Sequence, residues 1–443
     1  MAFTDNSGSS SARAEPESTR RGADVTARPC HAAAIPPDGP DAMKTETRFF
    51  GWKVVQAGFV TAFFAWGIGF YGPPIFLQSL SQQHGWPIGL LSAAITVQFL
   101  TGAAVVSQLA GLHRRFGQVA VLRAGAALTA IGLLGWATAQ QPWQLFLAVP
   151  LSAAGWAVTS GAALNAAVAP WFIHRRPMAL GMAYNGASFG GLIMSPLWVA
   201  LIGALGFSAA AGLVGAIFAV LLWWMAGRFF APTPAAMGQQ PDGEALSAGP
   251  AAPPIEAAPL TGNPWRDARF ATLTAAASLA LFAQIGLVAH LFSILVPMLG
   301  AGAAGLAMGG ATGCAILGRM VVGRLLRPGA SRRQAAALNG VVQAAGSALM
   351  LAGSFGSVPV MLAGCALFGL GIGNATSLPP LIAQRDFRAE DLPRAVALVT
   401  ATGQAAYAFA PVTFGLLRFD SALLFLAAGA LQLVAAALIL ARR

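Results

Sequence analysis

Charge is what this 443-residue sequence most conspicuously lacks. Only 9% of its residues are Asp, Glu, Lys or Arg, while 56% are hydrophobic; an ordinary soluble domain is charged at roughly a quarter of its positions. A water-soluble chain this poor in charge could not cover its own surface. Acids are scarcer still, with none between Glu46 and Asp242 and none deep in a later apolar run. Cysteine is nearly absent: Cys30, Cys314 and Cys365 form neither a disulfide framework nor a metal-ligand spacing. No cluster of acids, cysteines or histidines could serve as a nucleophile, base or metal site, so enzymatic chemistry, a bound metal and a cofactor are not expected.

What is present is a series of apolar stretches running from Phe49 to Leu440, many of them about 20 residues long, enough to cross roughly 30 Å of hydrocarbon at about 1.5 Å per residue. Gly, Pro and Arg punctuation divides them into twelve segments, near 52–77, 87–110, 118–139, 144–169, 178–204, 207–227, 270–297, 302–325, 334–355, 358–382, 394–417 and 421–440. The fold class expected is an all-α membrane protein with twelve transmembrane helices in two six-helix bundles.

The net charge of +11 does not point to nucleic acid, because the basic residues are not gathered into one patch. They fall in the N-terminal tail, at Arg114 and Arg115, Arg175 and Arg176, and then at 228–269, 324–333, 385–394 and the last two residues. These are alternate breaks between segments, and only Arg418 intrudes on the other side. That is the positive-inside pattern, which predicts a multi-pass protein of the plasma (inner) membrane with both termini cytoplasmic. Residues 1–48 are polar and rich in Pro, Ser and Ala, carry no apolar stretch of signal-peptide type, and are expected to be a disordered cytoplasmic tail. Residues 229–267, rich in Pro, Ala and Gly, read as a flexible cytoplasmic linker between bundles at 49–228 and 268–443.

The halves echo one another. LAGLHRRFG at 109–117 follows segment 2, and GRLLRPG at 323–329 follows segment 8; Gly186 to Pro196 in segment 5 is matched by Gly403 to Pro411 in segment 11. Parallel duplication of this kind is typical of several transporter folds. The repeated loop resembles the signature of the major facilitator superfamily, of which Arg115, Phe116 and Gly117 match. Arg114 stands where that signature has an acid, so the usual charge lock needs another carboxylate, such as Asp386, Glu390 or Asp391. APWFIHRRPMALG at 169–181, continuing through Gly186, Gly190, Gly191 and Pro196, is similar to the stretch joining helices 4 and 5 in the monocarboxylate and oxalate:formate branches. Gly51-Trp52-Lys53-Val54-Val55 looks like the opening of the same carriers. The resemblance implies loop roles for Arg115, Gly117, Arg175 and Arg176, while the Gly-rich starts and proline-marked second halves at Gly186, Pro196 and Pro411 suit helices that approach closely, slide and bend during gating.

Arg319 lies eight residues before Arg327, about 12 Å from the basic end of its segment. A cation at that depth costs at least about 2.5–3.5 kcal/mol, so it should meet water or an anion. Its planar fork suits a carboxylate, and Gly318-Arg319 with Gly323 resembles the helix 8 motif implicated in anion binding in those branches. Polar residues elsewhere in the segments, Tyr71, Asn165, Gln284, Asn374, Gln404 and Tyr407, are candidate substrate contacts. Ala315 replaces the acid that monocarboxylate carriers place one turn before this Arg, which leaves His290 as the candidate proton-coupling residue. Facilitated diffusion, exchange, and symport with a substrate-borne proton all fit.

The function expected is transport of a small organic anion by alternating access, with the lipid bilayer as the other partner and the chain acting as a monomer. Efflux of an apolar or cationic compound is the alternative. It is disfavoured because Pro196 follows Ser195 instead of forming the Gly-Pro signature of many drug antiporters. A carrier-derived sensor would carry a further folded domain, for which 229–267 is too polar and proline-rich.

Overall fold

The computed structural model describes residues 49–243, 263–325, 330–388 and 390–441. The expected tail at 1–48 and the later part of the expected linker, 244–262, lie outside these residues. Among the described residues eleven helices are long and apolar enough to cross a membrane. One of them, Ala268–Leu325, has 58 residues and would be about 87 Å long if straight, nearly three hydrocarbon thicknesses. It is broken at Gly300, whose φ of 75° and ψ of 161° are not helical. The same left-handed extended backbone recurs at Gly117 and Gly206, which turn two other helix pairs; this region is open essentially to glycine alone.

Splitting at Gly300 gives twelve spans: α1 (Gly51–His84, interrupted at 70–72), α2 (Ile88–Phe116), α3 (Gln118–Thr138), α4 (Pro142–Trp171), α5 (Arg176–Leu205), α6 (Phe207–Arg228), α7 (268–299), α8 (301–325), α9 (Arg332–Gly353), α10 (Val358–Asp386), α11 (Arg394–Leu416) and α12 (Ser421–Leu440). Each begins or ends within a few residues of the boundary expected from hydropathy, except that α1 continues to His84.

In the first six spans, α1 packs on α5, and α3 on α4 and α6. In the last six, α9 packs on α10 and α12, repeating the second pattern. Small residues allow close approach: a Cβ on Gly186 would overlap the Phe59 carbonyl of α1, and one on Gly318 would overlap the Leu370 carbonyl of α10. Contacts between the two sets lie along α5 and α8, where Pro196 meets Gly305 and Gly309, and at the end remote from the arginines. There the second half of α1 packs on the Ala268–Leu325 helix, and α2 meets α11, with the Val412 amide donating to Thr96 Oγ1 at 3.3 Å.

The arginine-rich end holds two charge arrangements. Arg333, with its side chain only 7% exposed, donates to Asp386 at 2.9 and 2.7 Å and also to Thr272 Oγ1 and the carbonyls of Arg269 and Ile439. Such saturation is what lets a buried ion pair offset its desolvation. Asp386 is therefore engaged with the start of α9 and is not a partner for Arg115, which lies over the Phe116 ring; Glu390 pairs locally with Arg388 at 3.7 Å. Around the first six spans, the stretch after α6 is folded back rather than free. Gln239 accepts from the Phe50 amide at 2.9 Å, and Asp242 accepts from three amides just before α5.

Candidate functional site

Arg319 stands where four spans meet. Its Nη2 donates to Ser188 Oγ on α5, and a Cβ on Gly373 of α10 would lie 2.7 Å from its Nε. Tyr71, in the break of α1, lies near enough to interact electrostatically with the guanidinium, and its ring meets Thr312 of α8 around Gly191. Ser188, Tyr71 and Thr312 are all buried. Among the described residues no carboxylate pairs with Arg319, and its Nε has no hydrogen-bond partner at all. A cation held between the two sets of spans by one hydroxyl, with a donor left over, is arranged to receive an acceptor from outside the chain.

The other expected contacts divide. Tyr71 is brought to Arg319. Tyr407 crosses from α11 to stack edge-on against Phe99 of α2, ring centres 5.5 Å apart, and Gln404 one turn earlier faces its hydroxyl. Gln284 instead accepts from Gln343 at 2.9 Å, and Asn374 donates to Asn339 at 3.1 Å. Both bonds tie α9 to its neighbours within the second set of spans. Asn165 is exposed on α4. His290 is fully buried, bonded through Nε2 to the Pro411 carbonyl at 2.9 Å, with Ser293 and Gly415 beside it. With Nε2 donating, the histidine and Pro411 form a fastening between α7 and α11.

Of the loop residues, Arg176 donates to the carbonyls of Phe172 and Ala169 at 2.9 and 3.1 Å and so closes the end of α4. Gly186 seats α5 on α1, and Pro196 seats it on α8.

The sequence offered no signal for Ser188, or for the rings that continue from Tyr71. Phe70, Phe99, Trp156, Trp66 and Tyr184 form an unbroken chain of aromatic contacts, with centres between 4.9 and 6.4 Å apart. In a span with so many apolar residues these rings read as ordinary packing or lipid contacts.

Among the described residues no contact comparable to the α2–α11 seam joins α4 to α10 or α11 at the arginine-rich end, and Asn165, Met178 and Met182 on its flanks are exposed. Among the described residues the two sets of spans are thus joined by a seam at one end that has no counterpart at the other. Two sets of spans with matching pairing, joined along one end, are parts that alternating access uses.

The family model of the Major Facilitator Superfamily matches residues 57–411. The chain belongs to the major facilitator superfamily. It is accordingly a membrane carrier and not an enzyme. Monocarboxylate transporter 11 of Mus musculus is 28% identical over 191 residues, 42% of this chain and 39% of that protein. Monocarboxylate transporter 13 of Bos taurus is 29% identical over 189 residues, 42% of this chain and 41% of that protein. The alignment thus spans about two fifths of the length of these curated relatives.

Among solved structures, the inward-open xylose transporter XylE of E. coli superposes with a TM-score of 0.66 at 13% identity, over 88% of this chain and 95% of that one. A bacterial homolog of the human lysosomal transporter Spinster, inward-facing and occupied, gives 0.66 at 12% identity, over 87% and 95%. At such identities these likenesses concern the fold of this superfamily carrier.

Proposed function

We propose that this carrier moves a small, monocarboxylate-like organic anion by alternating access, in the plasma (inner) membrane, with both termini in the cytoplasm and one chain as the working unit. The observation that carries this reading is the unpaired Arg319 guanidinium between the two sets of spans, with its Nε unsatisfied. A carboxylate placed there would complete the guanidinium's hydrogen bonding and offset the cost of its burial. The similarity to monocarboxylate transporters over part of the chain supports the same class of cargo.

The spans offer no carboxylate relay: the sequence has no acid between Glu46 and Asp242, and Asp386, at the end of α10, is paired with Arg333. In this reading His290 serves as a fastening, and any coupling proton travels on the substrate or is replaced by a counter-transported anion.

The test is uptake of labelled carboxylates into proteoliposomes carrying the parent, Arg319→Ala or Arg319→Lys. Loss of a charge-assisted pair predicts a fall of about ten- to hundredfold for Arg319→Ala. A smaller fall is expected for Arg319→Lys, which keeps the charge but not the fork. Equal uptake by all three would remove Arg319 from the transport step.

A further inference from the structure

The guanidinium accounts for one negative charge of a substrate; the surfaces around it bear on the remainder. Starting at Tyr71 beside Arg319, ring contacts pass to Phe70 at 4.9 Å and then to Phe99 at 6.1 Å. From Phe99 they reach Trp156 at 5.8 Å and, across to the second set of spans, Tyr407 at 5.5 Å. Trp66 follows at 6.4 Å from Trp156, and Tyr184 at 6.3 Å from Trp66. Five spans, α1, α2, α4, α5 and α11, thus contribute rings to one continuous wall.

Two features separate this wall from a sealed core. Trp66, Phe70, Trp156, Tyr184 and Tyr407 are all only partly buried. The Trp156 Nε1 donor is shielded from solvent yet has no partner, whereas the Tyr184 hydroxyl on the same wall is satisfied by the Gly161 carbonyl at 2.7 Å. Buried indole N–H groups ordinarily find an acceptor, so an unpaired one on this wall has capacity for a substrate oxygen.

What the wall lacks is equally selective. Among the described residues the one acid within a span, Asp386 at the last position of α10, is already paired with Arg333, so none is free to receive an ammonium group. Among the described residues, the other ionisable groups deep in the second set are already engaged, His290 with the Pro411 carbonyl and Arg418 with Ser293. A second carboxylate would therefore meet no free cation, and a zwitterion would leave its amine desolvated without a counter-charge.

We propose that the substrate is an aromatic monocarboxylate of about arylacetate or aryl keto-acid size, its carboxylate on Arg319 and its ring among Tyr71, Trp66, Trp156 and Tyr407. This rests on the anion reading of Arg319 and adds to it the class of body the anion carries. Ring pairs favour offset or edge-on contacts at about 4.5–7 Å between centres, the spacing already present in the wall. Because Phe99 and Tyr407 belong to different sets of spans, a substrate ring beside them would be held from both sides and could be released when they part.

The experiment uses the full chain in proteoliposomes at pH 7.5 and measures counterflow of labelled phenylacetate, lactate, phenylalanine and succinate, with protein-free vesicles subtracted. Transport efficiency for phenylacetate is expected to exceed that for lactate by about tenfold or more, as burial of a ring allows, with phenylalanine and succinate at background. Trp156→Ala and Tyr407→Ala each lower the phenylacetate-to-lactate ratio, Trp156→Phe restores most of it, and Trp143→Ala, 62% exposed at the other end of α4, leaves it unchanged. The ratio is internal to each variant, so a loss of folded protein does not imitate the effect. Equal efficiency for lactate and phenylacetate, with a ratio the ring variants do not move, overturns the aromatic class while a loss in Arg319→Lys preserves the anion reading. Transport of every anion by Arg319→Ala at the parent rate overturns both. Phenylalanine moved as well as phenylacetate overturns the requirement for a lone carboxylate.

Discussion

Three consecutive amides, those of Ile173, His174 and Arg175, converge on the Asp242 carboxylate at 3.0, 2.8 and 3.2 Å. Asp242 itself has φ of 63°, the one positive value outside glycine among the described residues, a backbone state that Asp and Asn tolerate better than most. Desolvation acts to raise its pKa, but the amide hydrogen bonds and the nearby His174 outweigh that and hold it below the usual carboxylate value. A depressed folded value means that the clamp is complete above the unfolded carboxylate pKa of about 3.9 and is lost as pH falls through the folded one. Asp242→Asn keeps the backbone preference and removes the charge, so it isolates the electrostatic part. At pH 7, amides 173–175 should exchange hydrogen about tenfold faster in the variant, as expected for loss of a charge-assisted bond. In the parent, protection relative to intrinsic rates should decline towards the variant's level under acid; equal protection at pH 7 would mean the carboxylate does not hold this loop. Nothing in the sequence near Asp242 announces this role. Its partners lie 67 to 69 residues away, and a polar, Pro-rich stretch looks the same whether it is free or docked.

Glycine sets the spacing of α8 and α10, and with it the position of Arg319. A Cβ on Gly318 would overlap the Leu370 carbonyl, whereas one on Gly310, further along the same span, meets nothing within 4 Å. Gly318→Ala should therefore force the two helices apart, at the roughly 1–3 kcal/mol typical of overpacking, while Gly310→Ala should stay within about 0.5 kcal/mol. Thermal melts of the purified protein compare the two directly, and equal midpoints would rule out the close approach. The sequence pairs Gly318 with Arg319 as one motif; the structure gives the glycine the separate task of letting the arginine reach between the spans. The same span pair explains why Asn374 was legible as polar but not as placed. Adjacent helix residues point about 100° apart, so Gly373 faces Arg319 while Asn374 faces Asn339. Composition reveals that a span carries an amide, but only the packing fixes which side it presents.

At the scale of the whole carrier, the twelve spans were readable because length and hydropathy answer directly to the thickness of a bilayer, and the break at Gly300 falls between two apolar runs that punctuation already separates. The aromatic wall was not readable, since its rings come from five spans and nothing local distinguishes a tryptophan facing a passage from one facing lipid. Nor does sequence reveal which end is closed. In the structure the end remote from the arginines is shut by α2 against α11, where a Cβ on Gly415 would lie 2.9 Å from that of Ser92. That is within about 1 Å of the ~3.8 Å between Cβ atoms in a disulfide. Replacing Cys30, Cys314 and Cys365 by serine or alanine and then introducing Ser92→Cys with Gly415→Cys should give a carrier that crosslinks on oxidation. If transport needs this seam to open, oxidation should lower uptake by about tenfold or more and reductant should restore it, because a covalent tie removes one of the two states the cycle visits. Either single cysteine alone should transport normally under both conditions. Undiminished uptake by a fully crosslinked protein would show that the seam stays shut throughout the cycle, and that access from that side runs elsewhere than between α2 and α11.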